Sequence, residues 1–161
     1  MLEEQPLDPE IHDRAGFSCG IPNLDEYLHR LASQHRRKGV SSVYVLVDTG
    51  TPSLILGYYT LSAAQMDVAE LNEADRKKLP RHPVPCFRMG RLACRADRRG
   101  QGLGKLLIGC AVERCLQASK QIAAFALIVD AKNSDAKAFY EHYGFTPCLD
   151  ASMTLYLPLG K

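Results

Sequence analysis

Residues 91–105 read RLACRADRRGQGLGK, and the rest of the chain arranges itself around them. An alternating segment, PVPCFRMGRLACR at 83–95, leads into this stretch. An arginine-rich turn follows, then glycines at alternate positions, Gly100, Gly102 and Gly104. Past them the apolar spacing is helical. Strand, glycine turn and helix together offer backbone N–H groups to a phosphate. Two familiar phosphate motifs fail on spacing. A P-loop needs a glycine where Arg99 stands and a hydroxyl where Leu106 stands. A dinucleotide fingerprint started at Gly100 meets Lys105 in place of its last glycine, and started at Gly102 it meets Leu107.

Working outward, 161 residues suit one domain, and 46% hydrophobic residues suffice for a core. The net charge of +2 excludes a polycation, but basic charge is uneven. Arg81, Arg88, Arg91, Arg95, Arg98 and Arg99 face one acid, Asp97, within residues 81–99, and HRRK stands at 35–38. Such runs hold a polyphosphate or nucleic acid, or are simply solvated faces. The six cysteines form no CxxC and no zinc spacing. Cys94, Cys110 and Cys115 read as small core residues, and a reducing, cytoplasmic setting is expected. The acidic N-terminus is not expected to act as a signal peptide, and no apolar run is long enough to span a membrane.

The order of elements is legible in outline. Residues 1–16 are expected to hold a first turn or short strand. A helix opens at Pro22-Asn23, with Asn23 as its cap, and buries Leu24, Tyr27, Leu28, Leu31 and Ala32. Arg36, Arg37 and Lys38 crowd its last turn and Gly39 ends it. Residues 41–48 and 54–64 form an antiparallel hairpin. A short helix over 71–79 is stopped by Pro80, and the Pro83-to-Pro85 entry is stiff. A strand over 86–95 carries Gly90, a sign of a bulge or a close ligand approach. The helix 102–119 buries Leu103, Leu106, Leu107, Cys110, Ala111 and Ala118. A central strand spans 122–129. Asn133 caps a helix over 134–143 whose inner face holds Ala136, Phe139, Tyr140 and Tyr143. Residues 145–147 are a turn, and 152–158 a last strand. This is a mixed α/β sandwich around one sheet.

Arg99, Gly100, Gln101, Gly102, Leu103 and Gly104 match R/Q-x-x-G-x-G/A. On that pattern the chain resembles the GNAT N-acetyltransferase superfamily. The resemblance implies an α/β GNAT acyl-CoA N-acyltransferase fold, a mixed central sheet flanked by helices, as a single domain over 1–161. It implies acetyl-CoA as cofactor, coenzyme A as product and no metal. It assigns cofactor contacts to Leu92, Ala93, Cys94, Arg98, Arg99, Gly100, Gln101, Gly102, Leu103, Gly104 and Lys105. Asn133 and AFYEHYGF at 138–145 resemble the family's second cofactor segment, which adds Asn133 and Phe139. Tyr140 takes the place of the tyrosine that faces the thiol. Its alternative is a core aromatic. As a general acid it is apt: a phenol with pKa near 10 still carries its proton at neutral pH, when a thiolate of pKa about 8.5 must leave. Backbone N–H groups around Leu92 and Ala93 suit the thioester carbonyl.

A narrower resemblance covers about residues 15–158. FSCG at 17–20, Leu24-Asp25, Tyr27-Leu28, GYYTLS at 57–62, PVPCFRMGRLA and RRGQGLG look like the GNAT toxins of bacterial toxin–antitoxin pairs. This implies acetyl transfer to the α-amino group of aminoacyl-tRNA, which blocks translation. It also implies a ribbon–helix–helix antitoxin, operator DNA reached only through the antitoxin complex, and a homodimer away from any membrane. The chemistry agrees, because an α-amine titrates near 7.7–8.0 and is largely free of its proton without a dedicated base. Arg36, Arg37, Lys38, Arg81, Arg88, Arg91 and Arg95 are the candidate tRNA contacts. Strand alternation keeps Arg88 and Arg91 off one face, so the patch stays divided among fold, cofactor, tRNA and antitoxin. Two alternatives remain: a GNAT enzyme for a small-molecule or protein amine, and a non-catalytic acyl-CoA binder of the same fold.

Overall fold

The computed structural model describes residues 1–160. Seven strands build one mixed sheet: β1 (Leu2–Pro6), β2 (Ser42–Asp48), β3 (Gly57–Met66), β4 (Val84–Cys94), β5 (Ala126–Asp130), β6 (Thr146–Pro147) and β7 (Thr154–Pro158). Their order is β1-β2-β3-β4-β5-β7-β6. The pairs β1–β2, β2–β3, β5–β7 and β7–β6 are antiparallel, and β4–β5 is parallel. The mixed α/β fold expected from the sequence is the one observed. The chain divides into two compact units, Met1–Ser62 with Gly90–Ala111, and Ala63–Met89 with the residues from Val112 on.

In the first unit, Val43, Val45 and Val47 point from one face of β2 into a core with Leu7, Phe17, Leu28, Ile55 and Tyr58, and Leu46 on the other face is buried as well. Tyr58 packs edge-on to Phe17 at 5.6 Å, and its hydroxyl donates to the Leu24 carbonyl at 2.6 Å. The helical stretch departs from the sequence expectation. Helix α1 (Pro22–Glu26) starts with proline at its first position, and its cap residue is Ile21, so Asn23 is already inside. A π-helical turn, Tyr27–Leu31, separates it from α2 (Ala32–Arg37). The extra residue in that turn rotates everything after it. Tyr27 and Leu28 are buried, but the next buried pair is Ala32 and Ser33, five residues on. Leu31, expected in the core, is 40% exposed. Gly39 ends the stretch with φ of 72°.

His12, buried in this unit, accepts the Asp8 backbone N–H at Nδ1 (3.0 Å) and meets Gln5 Oε1 through Nε2 (2.8 Å). The acceptor role of Nδ1 requires the neutral ring, and burial lowers the His12 pKa, against an opposing pull from Asp8. The folded pKa is depressed, so below the unfolded value near 6.5 the unfolded state takes up the proton first. Stability attributable to His12 is complete above that pH and declines as pH falls below it. Denaturant midpoints measured from pH 7.5 to 5 should therefore decline less for His12→Gln than for the wild type.

In the second unit β5 buries Ala126, Leu127, Ile128 and Val129, as a strand covered on both faces does. It begins at Ala126, not 122, and Ile122 is 76% exposed. The expected helix over 71–79 is only α3 (Glu73–Arg76). Tyr156 anchors it from β7, donating to Asp75 Oδ2 at 2.8 Å and accepting the Asn72 N–H at 3.0 Å. Burial, chiefly, pushes the Tyr156 phenol up to about 12. Residues 146–147, expected as part of a turn, pair with β7. Helix α5 (Ser134–His142) is capped as expected: Asn133 Oδ1 accepts the Ala136 N–H at 2.8 Å. Asn133→Ala should lower stability by about 1 kcal/mol, read from urea midpoints at unchanged slope.

Helix α4 (Leu103–Ser119) buries Leu103, Leu107, Ile108, Ala111 and Cys115. Leu106 and Ala118, expected inside, lie outward, because the buried stripe drifts onto 108 and 115 over four turns. Cys94 and Cys110 are only half-buried; Cys19, Cys86, Cys115 and Cys148 are buried, and all six are free thiols. No helix of the described residues is long and apolar enough to cross a membrane.

Candidate active site

The glycine turn lies wholly in the first unit. Two backbone bonds set its approach: Arg95 N–H to the Leu56 carbonyl and Ala96 N–H to the Ser18 carbonyl, each 2.8 Å. A short 3₁₀ turn, Ala96–Arg98, follows, and Arg99 is extended. Gly100 and Gly102 then take φ of 82° and 74°, values that side-chain-bearing residues rarely adopt. A Cβ at either would meet nothing within 4 Å, so it is backbone handedness, not crowding, that selects glycine. The result is bare, solvent-facing backbone at the start of α4. Leu106 N–H bonds to the Gly102 carbonyl at 3.1 Å. The N–H groups of Leu103, Gly104 and Lys105 precede that first helical bond and are the ones a helix leaves for an anion. Leu103 is buried and anchors the turn, while Gln101 and Lys105 stand exposed. This cradle fits a pyrophosphate.

The arginines sort by their partners. Arg99 Nη2 donates to the Cys19 carbonyl at 3.1 Å, tying the turn to the FSCG segment. That segment is itself clamped by Asp25, whose carboxylate accepts the Cys19 N–H at 2.8 Å. Arg98 is loosely paired with Asp97 at 4.0 Å. Arg95 grips Asp97 with Nε and Nη2, at 3.0 and 3.3 Å, and reaches the Gly16 carbonyl at 3.3 Å. Its side chain is 15% exposed, so Arg95 holds the fold. That hydrogen bonding keeps the Asp97 carboxyl below the usual range. Arg88 pairs with Asp130, whose other oxygen accepts the Thr154 hydroxyl at 3.0 Å. Arg91 lies over the Tyr27 ring, 3.6 Å from its centre. Arg36, Arg37, Lys38 and Arg81 are exposed. Leu92 and Cys94 are half-buried and Ala93 is buried, on the last stretch of β4, beyond the Cys86–Met89 ladder with β5.

Tyr140 belongs to the second unit. It is 7% exposed, with edge-on contacts to Phe139 and Phe145, both at 5.6 Å. Phe139 is half-buried and also meets Tyr143 at 5.0 Å. Asn133 spends its side-chain oxygen on the helix cap. Asp130 is engaged by Arg88 and Thr154. Among the described residues no cluster of His, Cys, Asp or Glu is arranged to hold a metal ion. Sequence reading missed the Asp25 clamp and the π turn; Gly20, with φ of 88° just after Cys19, was the available hint of the first.

Comparison with known proteins bears on this arrangement. Residues 41–147 match the family model described as an acetyltransferase (GNAT) domain. The chain is 35% identical over 136 residues to a tRNA-acetylating toxin of Mycobacterium tuberculosis, covering 84% of this chain and 80% of that protein. The structure of AtaT complexed with acetyl-methionyl-tRNAfMet superposes with a TM-score of 0.92 at 28% identity, over 98% of this chain and 95% of that one. A tyrosine-to-phenylalanine variant of the AtaT toxin, bound to the C-terminus of the antitoxin AtaR and acetyl-CoA, gives a TM-score of 0.83 at 26% identity, over 98% and 93%.

Proposed function

The chain belongs to the GNAT acetyltransferase family, and from that premise we propose that it is a toxin that acetylates the α-amino group of aminoacyl-tRNA and so blocks translation. The carrying observation is the positive-φ glycine pair opening onto the free N–H groups of α4, in a chain that shares its fold with a toxin bound to acetyl-methionyl-tRNA. Acetyl-CoA, when bound, supplies an activated acetyl thioester. The Leu103, Gly104 and Lys105 N–H groups hold its pyrophosphate, with Arg98 and the remaining donors of Arg99 adding charge. Gly100 and Gly102 let the backbone approach, and Gln101 borders the turn. Backbone N–H groups at Leu92 and Ala93, next to Cys94, polarise the acetyl carbonyl. Tyr140 gives its phenolic proton to the departing sulfur, braced by Phe139 on the helix that Asn133 caps. The substrate amine bonds to the acetyl carbon and sheds its own proton to solvent. An amine of pKa about 7.7–8.0 needs no dedicated base for this.

The exposed cations Arg36, Arg37, Lys38 and Arg81 suit an RNA backbone by charge alone. A ribbon–helix–helix antitoxin neutralises the toxin and carries the pair to operator DNA. The toxin itself is a cytoplasmic homodimer. The test is direct: incubate the protein with labelled acetyl-CoA and total aminoacyl-tRNA, then release and identify the labelled aminoacyl group. Label in acetyl-amino acids supports the reading. Label only in free small amines or in protein lysines overturns it.

A further inference from the structure

The helix that carries Tyr140 is tied to one strand at both of its ends. Past α5 the chain enters β6, where Thr146 pairs with Tyr156 and Pro147 with Leu155 of β7. Phe145, buried at the join, donates its N–H to the Tyr140 carbonyl at 3.1 Å. Ahead of α5 the tie is made by side chains. Asp130 ends β5 opposite Thr154 of β7. One of its carboxylate oxygens accepts the Thr154 hydroxyl at 3.0 Å, and the other accepts Arg88 Nη1 from β4. The next residue adds a backbone bond, Ala131 N–H to the Met153 carbonyl at 2.7 Å. Asn133 then caps α5. Since β4, β5 and β7 are neighbours in the sheet, this clasp crosses three strands where the chain leaves for α5. Every residue in it belongs to the second unit.

The Arg88 and Asp130 side chains are 38% and 44% exposed. An ion pair that open to water adds little to stability. Its geometry does more. Both oxygens of Asp130 have a partner, so the carboxylate is held in one orientation, and the short link Ala131–Lys132–Asn133 starts from a fixed point. Resting on the reading of Tyr140 as the proton donor, we propose that Arg88 and Asp130 are positioning residues: their pair sets the first turn of α5 and, through it, the place of the Tyr140 hydroxyl. Neither touches a reacting atom, and Arg88 acts here as a brace within the sheet, not as a tRNA contact. A donor displaced by about 1 Å loses up to about 10²-fold in rate. The fold, carried by the backbone ladders of β5, β6 and β7, is left in place.

The test is a set of double-mutant cycles read in single-turnover acetyl transfer to charged tRNA. Asp130→Asn and Arg88→Gln should each lower the rate about tenfold or more, with little change in Tm or in KM for either substrate. Thr154→Val leaves the ion pair in place and should give a smaller loss of the same kind. Arg88→Lys should recover part of what Arg88→Gln loses. With the donor removed its aim no longer matters, so Asp130→Asn should add no further loss to Tyr140→Phe. The Asp130→Asn penalty should also narrow with an acyl donor whose thiol is more acidic. Should Asp130→Asn fail to fold, Thr154→Val and Arg88→Lys combined with Tyr140→Phe make the same comparison. Full additivity with Tyr140→Phe, or wild-type rates in Asp130→Asn and Arg88→Gln, overturns the proposal. A raised KM for charged tRNA at unchanged kcat in Arg88→Gln overturns it by making Arg88 a substrate contact. Loss of the acidic limb of the pH–rate profile in Asp130→Asn overturns it by making Asp130 a base. Each of these leaves Tyr140 as the donor. A Tyr140→Phe protein with the wild-type rate overturns that reading and this proposal together.

Discussion

Tyr140→Phe should slow acetyl transfer by about 10²–10⁴-fold while leaving the protein folded, the range expected when a positioned proton donor is removed. The substitution deletes one oxygen and keeps the ring. The ring is what α5 packs with, through its edge-on contacts to Phe139 and Phe145. Thermal stability should therefore change little while single-turnover rates collapse. Affinity for acetyl-CoA should persist, because the glycine turn is untouched. The loss should also depend on the leaving group. An acyl donor whose thiol is more acidic needs the proton less, so the gap between the two proteins should narrow with it. In cells, growth arrest on expression should disappear. A phenylalanine variant with the wild-type rate would remove Tyr140 from the chemistry and leave it a core aromatic.

Gly57→Ala should be the most damaging single-methyl change in the first unit. A Cβ there would sit 2.7 Å from Leu107 Cδ1 and 2.9 Å from the Ala93 carbonyl oxygen. Leu107 is fully buried, and the oxygen is backbone of β4, so neither can yield cheaply. Overpacking of this kind costs about 1–3 kcal/mol. At this chain length that is a fall in Tm of several degrees, roughly 2–4 °C per kcal/mol. Leu107 stands on the first turns of α4, just beyond the N–H groups assigned to the pyrophosphate, so KM for acetyl-CoA should rise as well. Gly90→Ala is the control. Its Cβ would meet only Thr60 Oγ1, at an ordinary 3.5 Å, and should be tolerated. Gly90→Ala destabilising as much as Gly57→Ala would refute the close-approach explanation.

The two glycines show where local reading ends. Gly100 and Gly102 were legible as a glycine turn because strand, turn and helix are local signals; that they take positive φ is what the structure adds. Asn133 was legible for the same reason, since a cap bonds only three residues ahead. The all-apolar β5 and the 42–48/57–66 hairpin were likewise visible in period and composition. Gly57 looked like any strand glycine, because the atoms that exclude a side chain come from residues 93 and 107.

By itself the sequence determined the strand–turn–helix and the mixed sheet, since each depends on backbone preferences over a few residues; a coenzyme pyrophosphate at that turn is what its resemblance to the GNAT pattern implied. Only the tertiary structure decided what the arginines do. Arg95 reaches back to Gly16, Arg99 to Cys19 and Arg91 to Tyr27, partners 64 to 80 positions away that no local period encodes. The π turn was hidden for a related reason. Its one extra residue is held by packing around Tyr27, and a pattern read at 3.6 residues per turn cannot show where the helix changes phase.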